Sequence, residues 1–131
     1  MERRLEIGEV KTYNYEVKPQ DFASFDIGEV HAVMSTFALG REMEWSSRLF
    51  VLDVKSDDEE GIGTMLQVEH KSPAMAGAVL CLEAIVSKVK GNEIICTIVV
   101  KHNDRLIATG KTGQKIVKKE KLNQIFTSLE R

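Results

Sequence analysis

The chain has 131 residues, the size of one ordinary domain, since globular domains cluster at about 100–150 residues. Hydrophobic residues at 43% and charged residues at 29% exclude a disordered chain. Eighteen Lys+Arg against 20 Asp+Glu leave a formal net charge of −2, so there is no overall basic field for nucleic acid. No apolar run reaches the roughly 18 residues that a membrane-crossing helix needs.

Met1-Glu2-Arg3-Arg4 leads into charged sequence without an apolar stretch, so a secretory signal is not expected and a cytoplasmic location is. Residues 1–131 read as a single domain. Val10 to Val17 alternates apolar or aromatic residues with polar ones and stops at Pro19, as a strand should. A connecting region follows from Gln20 to about Val30. From about His31 to Lys55 there is no proline, and Met34, Ala38, Trp45, Leu49 and Leu52 recur at the spacings of a helix face. The run Asp57-Asp58-Glu59-Glu60, with Gly61 and Gly63, then reads as an exposed turn.

Four strands are expected after it: Thr64–His70, Val79–Val89, Glu93–Lys101 and Arg105–Val117. Turns at Lys90-Gly91-Asn92 and His102-Asn103-Asp104 are short enough to demand antiparallel neighbours. Lys119 to Leu129 adds a short helix through Leu122, Ile125, Phe126 and Leu129. The economical packing is α+β, one antiparallel sheet curled around a single long helix. Val79–Val86 and Ile94–Val100 are apolar on both faces, which points to a homodimer, or a dimer of dimers, covering the outer surface. Cys81 and Cys96 lie in apolar runs, out of register across their hairpin, and read as buried free thiols suited to a reducing compartment; they form no zinc ligand set.

Three polar residues stand out. Glu44 lies seven residues from both Phe37 and Val51, on an otherwise apolar line of the helix. A desolvated carboxylate there is either an acid–base group or half of an ordinary ion pair with Arg41 or Arg48. His70 shares the face of Thr64, Leu66 and Val68 by strand alternation, and is either a satisfied core residue or a group looking into a cleft. Thr36 begins the helix region, where it and Ser35 are also cap candidates. His31 and His102 occupy less informative positions. A hydroxyl, a carboxylate and an imidazole are the parts of a nucleophile, base and orienter set.

The residues Met34–Trp45, MSTFALGREMEW, resemble a family pattern of threonine, seven residues, then Glu-Trp, here Thr36, Glu44 and Trp45. Gly61–His70, GIGTMLQVEH, resembles the same family's Gly-Thr, five residues, His, here Gly63, Thr64 and His70, and Lys121-Leu122-Asn123 is similar to its Lys-Phe-Asn. The family is that of the fluoroacetyl-CoA thioesterase-like proteins, and the resemblance implies a hotdog fold. It also implies hydrolysis of a short-chain acyl-CoA thioester, with Thr36, Glu44 and His70 acting together and whether Thr36, Glu44 or water attacks left open. A backbone N–H near Gly63 is the expected oxyanion donor. Where the family has lid phenylalanines this chain has Ile27 and Val30, and the family arginine late in the last strand falls at Gln114, so fluoroacetyl selectivity is not carried over.

No metal and no cofactor is expected, coenzyme A being part of the substrate. Lys111, Lys115, Lys118, Lys119 and Lys121 form a local basic region, within which Lys111 and Lys115 share a strand face and are candidates for the CoA phosphates. The same lysines equally suit a solvated edge strand. The rival from another class is a non-catalytic module that binds acyl-CoA or another small ligand.

Overall fold

A computed structural model of the chain describes residues 1–25 and 28–130. In chain order it contains β1 (Val10–Glu16), a 3-10 turn (Pro19–Asp21), β2 (Phe22–Phe25), β3 (Gly28–Met34), α1 (Thr36–Val54), β4 (Glu59–His70), β5 (Val79–Lys90), β6 (Glu93–His102), β7 (Arg105–Lys118) and α2 (Lys119–Leu129). Five strands form one antiparallel sheet in the order β1-β5-β6-β7-β4, and β2 pairs with β3 separately. The sheet curls over α1, which touches β1, β4, β5, β6 and β7. Among the described residues no helix is long and apolar enough to cross a membrane.

The core is the seam between sheet and helix. Leu80, Leu82, Ala84 and Val86 of β5 and Ile94, Cys96, Ile98 and Val100 of β6 alternate inward, as a pleated strand requires, and meet Leu39, Met43, Phe50, Val51 and Val54 of α1. Sequence periodicity selected a different stripe of the helix. Trp45 and Leu52, expected on the inner face, are 40% and 44% exposed. Apolar residues occur all round this helix, and the buried stripe includes the small residues Gly40, Ser46 and Ser47, which a hydrophobicity pattern does not reward. Their hydroxyls are satisfied locally: Ser46 donates to the Met43 carbonyl at 2.6 Å and Ser47 to the Glu44 carbonyl at 2.9 Å.

Three further expectations are corrected. The helix begins at Thr36 and not near His31, because Val30–Met34 continues a hairpin with β2 and the Ser35 hydroxyl caps the helix by accepting from Ala38 N–H at 3.0 Å. The acidic run is only half a turn: Asp57 and Asp58 are exposed, but Glu59 is buried at the start of β4. Its carboxylate accepts from the Met1 ammonium at 2.6 Å and from Ser56 N–H at 2.8 Å, which hold its pKa down at about 2. The cysteines are both free, but only Cys96 is buried, where desolvation pushes its thiol up to about 12; Cys81 sits on the outer face of β5 and is exposed.

Gly110 of β7 marks the tightest crossing. A Cβ there would collide with the Gln67 carbonyl of β4 and lie 2.5 Å from Met43 Cε of α1. Backbone atoms cannot retreat as a flexible side chain can, so Gly110→Ala is expected to destabilise the protein by about 1–3 kcal/mol, the usual scale of overpacking. Urea unfolding measures this; an unchanged midpoint with an unchanged m-value would show that the crossing tolerates the methyl group.

Candidate active site

The N-terminus of α1 and the end of β4 bring Thr36 and His70 together. Because Ser35 takes the capping role, the Thr36 hydroxyl is free, and its Oγ1 lies 3.0 Å from His70 Nδ1. His70 Nε2 is buried and has no hydrogen-bond partner among the described residues, an exception among buried polar atoms. Glu44 stands two helical turns along α1 from Thr36, half-buried on the side of the helix that faces β4. A Cβ added to Gly63 would be 2.7 Å from Glu44 Oε1, so glycine is what lets the strand backbone lie against this carboxylate.

A β-bulge between Gly63 and Met65 makes this convergence possible. Gly63 and His70 are seven residues apart, so regular alternation would put them on opposite faces. The extra residue in the bulge resets the alternation, and Gly61, Gly63, Leu66 and Val68 all approach α1. Thr64, expected beside Leu66 and Val68, is instead on the outer face, where its hydroxyl donates to Glu93 Oε2 at 3.0 Å.

Thr36, Phe37, Gly40, Arg41, Glu44, Leu66 and Val68 line a groove of about 510 Å³ between α1 and β4. A cavity of about 960 Å³ between Asp58 and α2 is larger but holds none of these residues. Among the described residues Glu44 makes no ion pair with Arg41 or Arg48. Arg41 Nε donates to Glu42 Oε2 at 2.6 Å and its Nη2 to Asp21 Oδ1 at 2.8 Å, while Arg48 Nη1 donates to the Gly61 carbonyl at 3.1 Å. Tyr13 donates to Glu42 at 2.9 Å and Tyr15 to Asp21 at 2.6 Å. Burial pushes both tyrosines up to about 12, and the carboxylates they serve push the same way. Burial also works to raise the Asp21 carboxyl, but hydrogen bonds from Tyr15, Arg41 and the Lys18 backbone overcome it and hold Asp21 below its ordinary range.

Gln114 is buried beneath α1. Its Nε2 donates to the Glu44 carbonyl at 3.2 Å and to Ser47 Oγ at 3.1 Å, while its Oε1 has no partner. Lys111 and Lys115 do not join the site. Thr112, Gln114 and Ile116 are the inward residues of β7, so the two lysines project from the opposite face of the sheet. Val30 belongs to β3, and Ile27 lies outside the described residues. Sequence reasoning missed the cluster of Asp21, Arg41 and Glu42, which joins elements far apart in the chain. It also missed the bulge, although a glycine inside a strand is a recognised sign of one.

The sequence profile of the fluoroacetyl-CoA-specific thioesterase family matches residues 17–120. The chain belongs to that family. Acyl-CoA thioester hydrolysis is the activity that goes with it. No curated protein matches the chain. Among solved structures, a Thermus thermophilus thioesterase superfamily member is 28% identical, with a TM-score of 0.92 over 97% of this chain and 94% of that one. The fluoroacetyl-CoA thioesterase FlK is 19% identical, with a TM-score of 0.88 over 98% of this chain and 100% of that one. A hot-dog-like protein from Thermanaerovibrio acidaminovorans is 18% identical, with a TM-score of 0.85 over 95% and 93%. The fold is therefore the hotdog fold expected from the sequence.

The close approach at Gly63 has a direct consequence. Gly63→Ala is expected to displace the Glu44 carboxylate and lower kcat for acyl-CoA hydrolysis by on the order of 10-fold to 100-fold. Circular dichroism is expected to be unchanged, because a carboxylate end moves more easily than backbone. A wild-type kcat in this variant would mean that the position of Glu44 does not matter to the reaction.

Proposed function

We propose that the protein hydrolyses a short-chain acyl-CoA thioester at the α1–β4 groove, with Thr36, Glu44 and His70 as its catalytic residues. The observation that carries this reading is the Thr36–His70 hydrogen bond at 3.0 Å beside an unpartnered, buried Nε2. A ring nitrogen without a partner is costly to bury unless a ligand or water completes it.

In this scheme Glu44 takes a proton from water, and the water oxygen bonds to the thioester carbonyl carbon. The oxyanion lies against backbone N–H groups at the Gly63–Met65 bulge, where an extra residue interrupts the ladder. Collapse breaks the C–S bond, and the sulfur leaves with the electron pair. His70 gives a proton to that sulfur, and Glu44 releases the proton it took from water to solvent, from which the imidazole regains one, so both groups end as they began. Thr36 holds the ring through Nδ1 and so fixes its orientation. The products are a free acid and CoA, and the chemistry uses no cofactor.

The working unit in this proposal is a homodimer in the cytoplasm. β4 is an edge strand of 12 residues, and the groove beside it exposes Leu66 and Phe37, the latter 89% accessible. A long open edge next to an apolar patch is a surface that proteins ordinarily cover.

Thiol release from a panel of short-chain acyl-CoAs tests the reaction. Glu44→Gln and His70→Ala are each expected to lower kcat/KM by about 100-fold or more, within the range for loss of a general acid or base, with circular dichroism unchanged. Wild-type rates in both variants would refute the site, and binding of CoA esters without thiol release would make the protein a binding module. Light scattering at micromolar concentration is expected to report two chains per particle; a monomer there would remove the dimer from the proposal.

A further inference from the structure

One wall of the groove carries charge that the hydrolytic scheme does not use. Arg41 lies three residues before Glu44 on α1 and lines the same groove. Taken alone, a guanidinium in an acyl groove suggests a partner for an anionic acyl group. Its surroundings argue the reverse. Nε and Nη2 are already committed to Glu42 Oε2 at 2.6 Å and Asp21 Oδ1 at 2.8 Å, with Tyr15 OH at 3.3 Å from Nη2. The two carboxylate side chains are 0% and 9% exposed while the Arg41 side chain is 56% exposed, so the carboxylates are held from behind and the guanidinium meets solvent and salt. The hydroxyls of Tyr13 and Tyr15 point their protons at these same carboxylates.

Arg41 faces the groove with the two carboxylates buried behind it, and these pairs carry a formal charge of −1, the Lys18 ammonium standing outside them over the Tyr15 ring at 5.2 Å. Glu44 adds another negative charge, with no salt-bridge partner among the described residues. A fourth carboxylate, arriving on a substrate, would meet a cation whose charge is already over-compensated. We propose that the Asp21–Arg41–Glu42 cluster is a specificity determinant that turns away acyl groups ending in a carboxylate, so that the substrate carries an uncharged acyl chain. This rests on the groove being the acyl-CoA site. Arg41 in this role is a donor held in place by its two carboxylates, able to bond a neutral oxygen without attracting an anion.

Butyryl-CoA and succinyl-CoA test the proposal, because they have the same number of acyl carbons and the same CoA moiety and differ in the terminal carboxylate. Wild-type kcat/KM is expected to favour butyryl-CoA by at least about tenfold, with the gap narrowing as salt is raised. Glu42→Gln removes one negative charge beside Arg41 and is expected to shift the ratio several-fold towards succinyl-CoA. Asp21→Asn makes the same change from the other side of the guanidinium and serves if the first variant does not fold. Equal wild-type rates, or folded variants that change both substrates by the same factor, would overturn charge selection. Turnover of neither ester would count against the hydrolytic reading instead. Calorimetric affinities of the two esters would then decide the selection, tighter binding of butyryl-CoA supporting it and equal affinities overturning it.

Discussion

Everything in the groove depends on the one-residue bulge in β4. A strand alternates its side chains strictly, so two inward positions must be an even number of residues apart. Gly63 and His70 are not, yet the first must be inward to admit Glu44 and the second to reach Thr36. The bulge between Gly63 and Met65 reconciles them and sends Thr64 outward to Glu93. Removing one residue at that point would rotate half of the strand, turning either the carboxylate's seat or the imidazole away from α1. The bulge also shifts the register of the β4–β7 ladder next to Glu44.

The second constraint is closeness. α1 lies on β4 and β7 through small residues: a Cβ on Gly40 would sit 3.2 Å from Leu66 Cδ2, and Gly110 has no space for one at all. Bulky residues there would lift the helix and open the distances on which a hydrogen-bonded site depends. The polar groups under the helix are handled by Gln114, whose amide binds the Glu44 carbonyl and Ser47. A neutral amide can do this without bringing another charge beneath α1. The carboxylate of Glu44 is thus placed by its backbone and by Gly63 and not by a cationic partner.

What the sequence disclosed follows from the range of each interaction. The strands of the five-stranded sheet, the long helix and α2 are legible because periodicity and turn residues are local signals, whereas the β2–β3 hairpin begins in what reads as a connecting region. Local patterns misjudged the α1 face, since Trp45 and Leu52 are more hydrophobic than Ser46 and Ser47, and only the sheet's curvature decides which stripe fits. They also read through Glu59, whose burial depends on Met1 and Ser56. Strict alternation placed Thr64 on the wrong face because a bulge shifts the pattern without changing composition. The joining of Asp21 to Arg41 is invisible in any window, since it needs the 3-10 turn and the helix folded together. Lys111 and Lys115 show the converse, a pattern correctly read as one strand face but on the side of the sheet away from α1.

Hydrolysis by a scheme of this kind gains most when water beyond the reacting molecule is kept out, because a dry site strengthens each electrostatic contact within it. The groove of a single chain does not meet that condition. Thr36 and Phe37 are exposed, and β4 presents an open edge immediately beside them. A second copy covering that edge would exclude water from Thr36, Glu44 and His70 and would bury Phe37 in the same step. Under the proposed dimer, assembly and catalysis therefore become one equilibrium: dilution that separates the chains removes activity before it removes the fold, because the α1–sheet core of each chain is complete without the partner.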